Sequence, residues 1–371
     1  MVIEGGQRKS IWYDAEADEV CVIDQTRLPH EFAIHRLRTL EDACEAITSM
    51  RVRGAPLIGI TAVFGVYLAL RENPASLDAA LRRLRATRPT AVNLRWALDR
   101  GAQELSEQTR ADIVGGALDF ALVLAEEDAV CCEAIGEHGG KVLRRLWRER
   151  CGQDRPLRVL THCNAGALAT VEWGTALAAI YKAAAAGVPL HVWVDETRPR
   201  NQGGALTCWE LRRAGVDHSL IVDGAAGHVM VSGLVDVCVT GSDRVSASGD
   251  VCNKIGTYQV ALAARDNNLP FYAALPVSTI DFDWPSADEA IPIEERAAEE
   301  ISMATGIEVG GRETKVHQYP RETAVRNFAF DITPARLVTG IITEHGVFEA
   351  NRASLVALAN KTLAAAASTE R

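Results

Sequence analysis

Val235-Asp236-Val237-Cys238-Val239-Thr240-Gly241-Ser242-Asp243-Arg244-Val245, followed by Gly249-Asp250 and then Asn253-Lys254-Ile255-Gly256-Thr257, organises the rest of the chain. Val235 to Thr240 is rich in β-branched residues and reads as a buried strand. Tyr258-Gln259-Val260-Ala261-Leu262-Ala263-Ala264 reads as a helix. The order is strand, glycine-rich turn, helix. It puts Asp243 just past the carboxyl end of a strand, where open α/β sheets hold ligands. It puts Lys254 and the amides of Asn253 to Gly256 at a helix N-terminus, a ready anion site. An acid, a base and an anion cradle in so short a span point to a phosphorylated substrate. The plainer alternative is a loop whose Asp caps a turn and whose Lys is solvated.

On both sides of this segment strands and helices alternate. Strand-like runs are Leu157 to Thr161, Leu190 to Val194, His218 to Val222, Phe271 to Leu275 and Leu337 to Thr343. Helical runs are Thr170 to Ala186, Ala205 to Ala214 and Gly256 to Asp266. Such alternation predicts right-handed βαβ units on a parallel sheet covered on both faces. The charged, Pro-interrupted segment 280–322 reads as a long excursion. Upstream, Cys151 to Pro156 breaks the pattern and marks a boundary. Before it, Ser76 to Thr87, Asn93 to Glu107 and Asp112 to Trp147 have helical periodicity, and Thr39-Leu40-Glu41-Asp42 reads as a helix start. Gly54 to Leu70 is uncharged, a little short for a membrane span, and reads as a buried helix. Residues 1–37 hold three short strand-like runs, Ile11 to Tyr13, Val20 to Ile23 and Phe32 to Ile34. The expectation is an α/β protein. Residues 151–371 form a Rossmann-like parallel sheet domain, and residues 1–150 a smaller, mostly helical domain preceded by a β element.

Composition narrows the function classes. The 371 residues are 48% hydrophobic and 24% charged, ordinary for a globular protein. A net charge of -10 argues against non-specific nucleic-acid binding, which needs clustered positive charge, and leaves room for a local basic pocket. The nine cysteines form no CxxC and read as reduced thiols of a cytoplasmic protein. No signal peptide follows Gln7-Arg8-Lys9. No G-x-G-x-x-G follows a strand and no Walker lysine motif occurs, so nucleotide cofactors are disfavoured. His162 and His228 lack ligand-like neighbours in sequence, which disfavours a metal.

Three other strand ends carry polar clusters. Thr161-His162-Cys163-Asn164-Ala165-Gly166 places a cysteine at a turn into a helix, and a helix N-terminus favours thiolate; a buried structural cysteine is the alternative. Asp195 to Gly204 holds Arg198, Arg200 and Gln202, suited to recognising oxygens. Asp223 to His228 reads as a tight turn. In a parallel sheet all strand-to-helix loops lie at one edge, so these clusters converge on one crevice.

Seven motifs, in order, then resemble a known family. They are Arg53-Gly54-Ala55-Pro56, Asn93-Leu94-Arg95-Trp96-Ala97-Leu98, Thr161 to Gly166, Glu196-Thr197-Arg198-Pro199-Arg200, Gly241-Ser242-Asp243-Arg244, Asn253 to Thr257, and Ala329-Phe330-Asp331-Ile332-Thr333-Pro334. Together, from about Leu40 to Gly346, they resemble the methylthioribose-1-phosphate isomerases of methionine salvage. That family is related to the regulatory subunits of the initiation factor 2B complex. The resemblance implies an aldose–ketose isomerase with Cys163 and Asp243 as the catalytic pair. It implies substrate contacts at Arg53, Gly54, Ala55, Arg95, Gln202, Asn253 and Lys254. The implied partner is a small-molecule sugar phosphate, with no cofactor, metal, nucleic acid or membrane, in a cytoplasmic homodimer. Ser242, Gly204-Ala205, Phe328 and residues 312–325 depart from the family's usual text. They keep two alternatives open: a related 5-deoxypentose 1-phosphate as substrate, or a non-catalytic sugar-phosphate or nucleotide sensor.

Overall fold

A computed structural model describes residues 9–152 and 154–362 in full, and the backbone alone of residues 2, 3, 6, 7 and 363–369. Strands β1 (Ile11–Asp14), β2 (Glu19–Ile23) and β3 (Ile34–Leu37) form an antiparallel sheet. The third strand starts two residues later than its apolar run predicts, because Phe32 leaves the ladder to stack on Trp209.

Helix α1 (Leu40–Thr48) begins with a capping box. Asp42 N–H donates to Thr39 Oγ1 (3.2 Å) and Thr39 N–H to Asp42 Oδ2 (3.0 Å), closing two orphan donors. Helices α2 (Ala55–Glu72), α3 (Leu77–Arg85), α4 (Val92–Leu105) and α5 (Ile113–Cys151) follow. α2 is long and apolar enough to cross a membrane by composition, but 78% of it is buried, packed against α1, α3, α4 and α5. It is the axis of the N-terminal core.

The 39-residue α5 serves two cores. Ala117, Ala121, Leu124 and Ala125 pack into the N-terminal core, while Ile135, Val142, Leu143 and Leu146 pack into the core beside the large sheet. There it meets α6 (Ala176–Ala185) through Gly136, Gly139 and Gly140. A Cβ on Gly139 would lie 2.4 Å from the Ala179 Cβ. The two helices approach this closely because α5 has no side chains there.

The large sheet is built from β4 (Leu157–Thr161), β5 (Leu190–Asp195), β6 (His218–Ile221) and β7 (Val237–Thr240). Helices α7 (Cys208–Arg213) and α8 (Ala226–Val231) lie between them. After β7 the glycine-rich segment is not a simple turn. β8 (Arg244–Ser246) and β9 (Val251–Lys254) form an antiparallel hairpin, with α9 (Thr257–Asp266) next. The hairpin joins β11 (Ile280–Asp281) and β14 (Phe330–Thr333) in a second sheet ordered β11-β8-β9-β14. Val245 and Val251 pair and are both buried, yet each strand is too short for a period of two to stand out in sequence. The excursion between β11 and β14 carries a second hairpin, β12 (Met303–Ile307) and β13 (Glu313–His317).

The large sheet is completed by β10 (Phe271–Ala274), β15 (Gly340–Thr343) and the antiparallel edge strand β16 (Gly346–Phe348); the chain ends in α10 (Arg352–Thr369). Its order is β16-β15-β10-β7-β4-β5-β6. Read from β6, the six parallel strands run 3-2-1-4-5-6, the doubly wound order. The chain reverses direction across the sheet between β4 and β7, so the crevice for a ligand lies past their carboxyl ends.

Candidate active site

That crevice is lined by Arg53, Gly54, Ala55, Cys163, Gln202, Asp243, Asn253 and Lys254, around a cavity of about 60 Å³. Cys163 follows β4 and Asp243 follows β7, so the two strands at the reversal supply one group each. Arg95 is not part of this wall. It lies exposed on α4, whose inward face is Asn93, Leu94, Ala97 and Leu98. One position from Leu94 is about a quarter turn off that face, so Arg95 points to water. Asn93 does the internal bonding instead, through Ser278 Oγ (3.1 Å) and Thr279 Oγ1 (3.3 Å). The cavity's further cation is Arg88, from the loop before α4. Nothing in its sequence surroundings, Thr87-Arg88-Pro89, distinguishes it from a solvated helix end.

The Cys163 backbone is left-handed, with φ +65°. A non-glycine residue pays roughly 1–2 kcal/mol for that geometry. Here it is held from both sides: Cys163 N–H donates to Thr197 Oγ1, and its carbonyl accepts from Thr207 Oγ1, each at 2.7 Å. Met50 and Thr197 share the left-handed geometry, with φ +63° each. Cys163 does not sit at a helix N-terminus, since a short turn intervenes before α6. The thiolate expected from sequence is therefore unsupported. Burial pushes the thiol up, and nearby Asp243 adds to this, while Arg53 and Lys254 oppose it.

Burial likewise raises the Asp243 carboxyl above its ordinary value, against the pull of Lys254, Arg88 and Arg53. Lys254, buried and lying 4.7 Å from the Phe330 ring centroid, is lowered by burial and partly restored by Cys163 and Asp243. The result is a small, cation-rich site in which burial biases an acid and a thiol toward their protonated forms.

Supporting bonds fix the walls. Arg53 donates to Asn164 Oδ1 (2.6 Å) and to the Asn164 carbonyl (2.7 Å). Asn164 in turn donates to Thr207 Oγ1 (3.2 Å) and to the buried Glu210 (2.9 Å). Glu210 also accepts from Ala167 N–H, Leu168 N–H and Tyr181 Oη, so its carboxylate is fully engaged. Gly54 has φ +101°, and a Cβ there would lie 2.5 Å from the Ala169 carbonyl. Only glycine permits Arg53 to enter beside this chain. Gln202 opens a π-helical turn at Gly203–Thr207. It is 5% exposed and lines the cavity, and its Oε1 has no partner among the described residues.

The amides expected to cradle an anion are already committed. Gly256 N–H and Tyr258 N–H donate to Asp331 (2.7 and 3.1 Å), and Ile255 N–H to the Ala329 carbonyl (3.0 Å). Asn253 and Lys254 lie in the ladder with β14. An anion entering this cavity would meet side chains rather than these amides. Arg198 and Arg200 also turn away: they bind the Ile301 carbonyl (3.1 Å) and Glu300 (3.0 Å) and line a neighbouring cavity of about 650 Å³.

His162 does have partners, contrary to its sequence surroundings. Nδ1 is 3.0 Å from Asp195 Oδ2 and Nε2 is 2.8 Å from the Ile255 carbonyl. The Ile255 carbonyl can only accept, so Nε2 carries a proton, and Nδ1 shares one with the Asp195 carboxyl. Burial pulls this imidazole down, but Asp195 and Asp223 more than offset it, and the net direction is up. Asp223 completes a cluster within 4.8 Å that has metal-ligand composition. Its oxygens accept Thr197 and Arg198 N–H (2.6 and 2.7 Å), so the cluster reads as an ion pair with caps.

Residues 51–350 match the initiation factor 2 subunit family. Over 360 residues the chain is 54% identical to methylthioribose-1-phosphate isomerase of Methylorubrum extorquens, across 96% of this chain and 98% of that one. Its fold is similar to that of 5-methylthioribose 1-phosphate isomerase from Pyrococcus horikoshii OT3, with 37% identity, a TM-score of 0.80 and coverage of 95% and 96%. It is also similar to a structure described as subunit delta of the translation initiation factor eIF-2B from A. fulgidus, with 39% identity, a TM-score of 0.76 and coverage of 92% and 96%. This chain belongs to the initiation factor 2 subunit family and, within it, to the methylthioribose-1-phosphate isomerases.

Proposed function

We propose that the chain is an aldose–ketose isomerase converting 5-methylthioribose 1-phosphate to 5-methylthioribulose 1-phosphate in methionine salvage. The observation that carries this reading is the pairing of Cys163 with Asp243 in one cation-lined cavity at the strand reversal. Phosphate on C1 blocks ring opening through a free anomeric hydroxyl. Opening then needs an acid at the ring oxygen and a clamp on the phosphate. Arg53, Arg88 and Lys254 are the clamp in this reading, with Gln202 accepting from a sugar hydroxyl. The protonated Cys163 thiol donates to the ring oxygen as its bond to C1 breaks. The Asp243 carboxylate takes the proton from the C2 hydroxyl as the hydrogen on C2 passes to C1, leaving the C2 carbonyl. Proton return from Asp243 to Cys163 closes the cycle.

The test is turnover by purified protein of 5-methylthioribose 1-phosphate, followed by NMR as the C1 hydrogens change. A parallel arm with 5-deoxyribose 1-phosphate reads the 5-substituent. A second reading, a regulatory subunit that binds sugar phosphate or nucleotide without turnover, has the A. fulgidus similarity in its favour. Tight binding with no product in either arm would select it. A homodimer and a cytoplasmic location belong to the same proposal. Nine cysteines without a disulfide support the reducing compartment, and sedimentation equilibrium reads the dimer.

A further inference from the structure

We propose that Glu294 is a positioning residue of this site, holding Arg88 on the cavity wall and away from Asp243. The proposal rests on the isomerase reading of the cavity. Arg88 lines the cavity, whereas Glu294 comes from the excursion between β11 and β14 and stands behind it. Arg88 Nε and Nη2 donate to Glu294 Oε2 at 3.2 and 2.8 Å, and Thr90 Oγ1 donates to the same oxygen at 3.3 Å. The other oxygen, Oε1, accepts from Arg296 Nη1 at 2.8 Å. Arg296 Nε reaches both Glu300 oxygens (2.9 and 3.1 Å), and Glu300 Oε1 accepts from Arg200 at 3.0 Å. Five alternating charges thus run from the catalytic cavity to its larger neighbour, which Arg200 and Glu300 line.

An arginine on the wall of this cavity has two anions within reach of its charge. Untethered, it would move onto Asp243 and hold that carboxyl as a paired carboxylate, a poor proton carrier. The fork onto Glu294 prevents the move while leaving the cation at the cavity. The groups facing Asp243 are Lys254 and Cys252 from β9, Arg53 ahead of α2, Arg88 before α4 and Cys163 after β4, with Glu294 behind Arg88. Arg88 pulls the Asp243 carboxyl down and Glu294 pushes it up, in agreement with the geometry. The tether has a second effect. An incoming phosphate shares Arg88 with Glu294, which limits how tightly the ground state is held.

Glu294→Gln keeps the shape and removes the charge. The expected signature is a split between binding and rate. Inorganic phosphate, titrated by calorimetry, should bind about threefold tighter or more, since one opposing charge is gone. Turnover of 5-methylthioribose 1-phosphate should fall by about tenfold, a loss of transition-state but not ground-state interaction. The limb of the pH–rate profile set by Asp243 should move down by about half a pH unit. Glu295→Gln is the control, because Glu295 pairs with exposed Arg326 (2.5 and 2.8 Å) and the Asn327 backbone, not with Arg88, and should change none of these. Phosphate affinity unchanged or weakened in folded Glu294→Gln overturns the proposal, as does an equal effect from Glu295→Gln. Should Glu294→Gln not fold, Glu300→Gln frees Arg296 to draw on Glu294 and should give the same changes at smaller size; their absence overturns the proposal. Wild-type protein that binds phosphate but makes no product would sink the isomerase reading alone, because phosphate affinity still reports on Glu294.

Discussion

Asp243 and Cys163 differ in what their replacement removes. Asp243→Asn keeps the shape and deletes the titrating proton. Turnover should drop about 10²–10⁴-fold, the usual contribution of general acid–base catalysis. Near-wild-type turnover would remove Asp243 from the mechanism. Because burial raises this carboxyl and the reaction uses its ionised form, activity should fall as pH drops through a value above the usual ~4. The Cys163 thiol is raised as well and acts protonated, so the alkaline limb should lie above the usual ~8.5. Cys163→Ser should fold normally and isomerise poorly, since a hydroxyl is a far weaker acid. Alkylation of Cys163, located by peptide mass, should inactivate, and substrate should slow it; unslowed inactivation would return Cys163 to a structural role. Among the cations, Arg88→Ala and Lys254→Ala should weaken phosphate binding roughly tenfold or more each, the scale of a lost charge-assisted bond. Arg95→Ala, exposed on α4, should leave calorimetric affinity unchanged.

Helix α5 shows how one element answers to two environments. Asp128 lies on it between the two cores, where its Oδ2 accepts Val171 N–H at 2.7 Å. Burial raises its carboxyl to about 7. The unfolded chain releases that proton near the ordinary value of about 3.9. A folded-state value above the unfolded one favours folding below the unfolded pKa. That advantage is lost as pH rises through the folded one, so the window is about pH 4 to 7. Asp128→Asn keeps an acceptor for Val171 without the ionisation. Compared with wild type, it should gain stability between pH 5 and pH 7.5 by up to about 3 kcal/mol, read from urea unfolding at both pH values. Equal changes with pH in the two proteins would show that Asp128 does not titrate as its burial dictates.

At the level of the whole molecule, the same helix joins the N-terminal core to the large sheet. Ala121 and Leu124 are in one cluster, Ile135 and Leu143 in the other, on one uninterrupted backbone. The two lobes should therefore unfold together. Urea transitions by tryptophan fluorescence and by far-UV circular dichroism should coincide, and two separated midpoints would contradict this. Gly139→Ala tests the coupling, because a methyl there would meet the Ala179 Cβ at 2.4 Å. Overpacking of this kind costs about 1–3 kcal/mol, and it should move the single transition as a whole.

Strand and helix order, the parallel sheet and the convergence of Cys163 with Asp243 were legible in the chain. Alternating βα segments admit few topologies, and all strand-to-helix loops in a parallel sheet fall on one edge. Local capping, such as Thr39 with Asp42, was legible for the same reason: both partners lie within four residues. The β8–β9 hairpin was not, because its ladder is completed by Phe330–Thr333, some eighty residues on. Nor were the bonds that fill the helix amides near Gly256, which come from Asp331. Arg88 meets Glu294 across 206 positions, and His162 meets Asp195 across 33. Short-range pattern sets which elements form and which edge they share. Whether a given cation faces water or the cavity depends on burial and long-range pairing, which exist only once the chain has closed on itself.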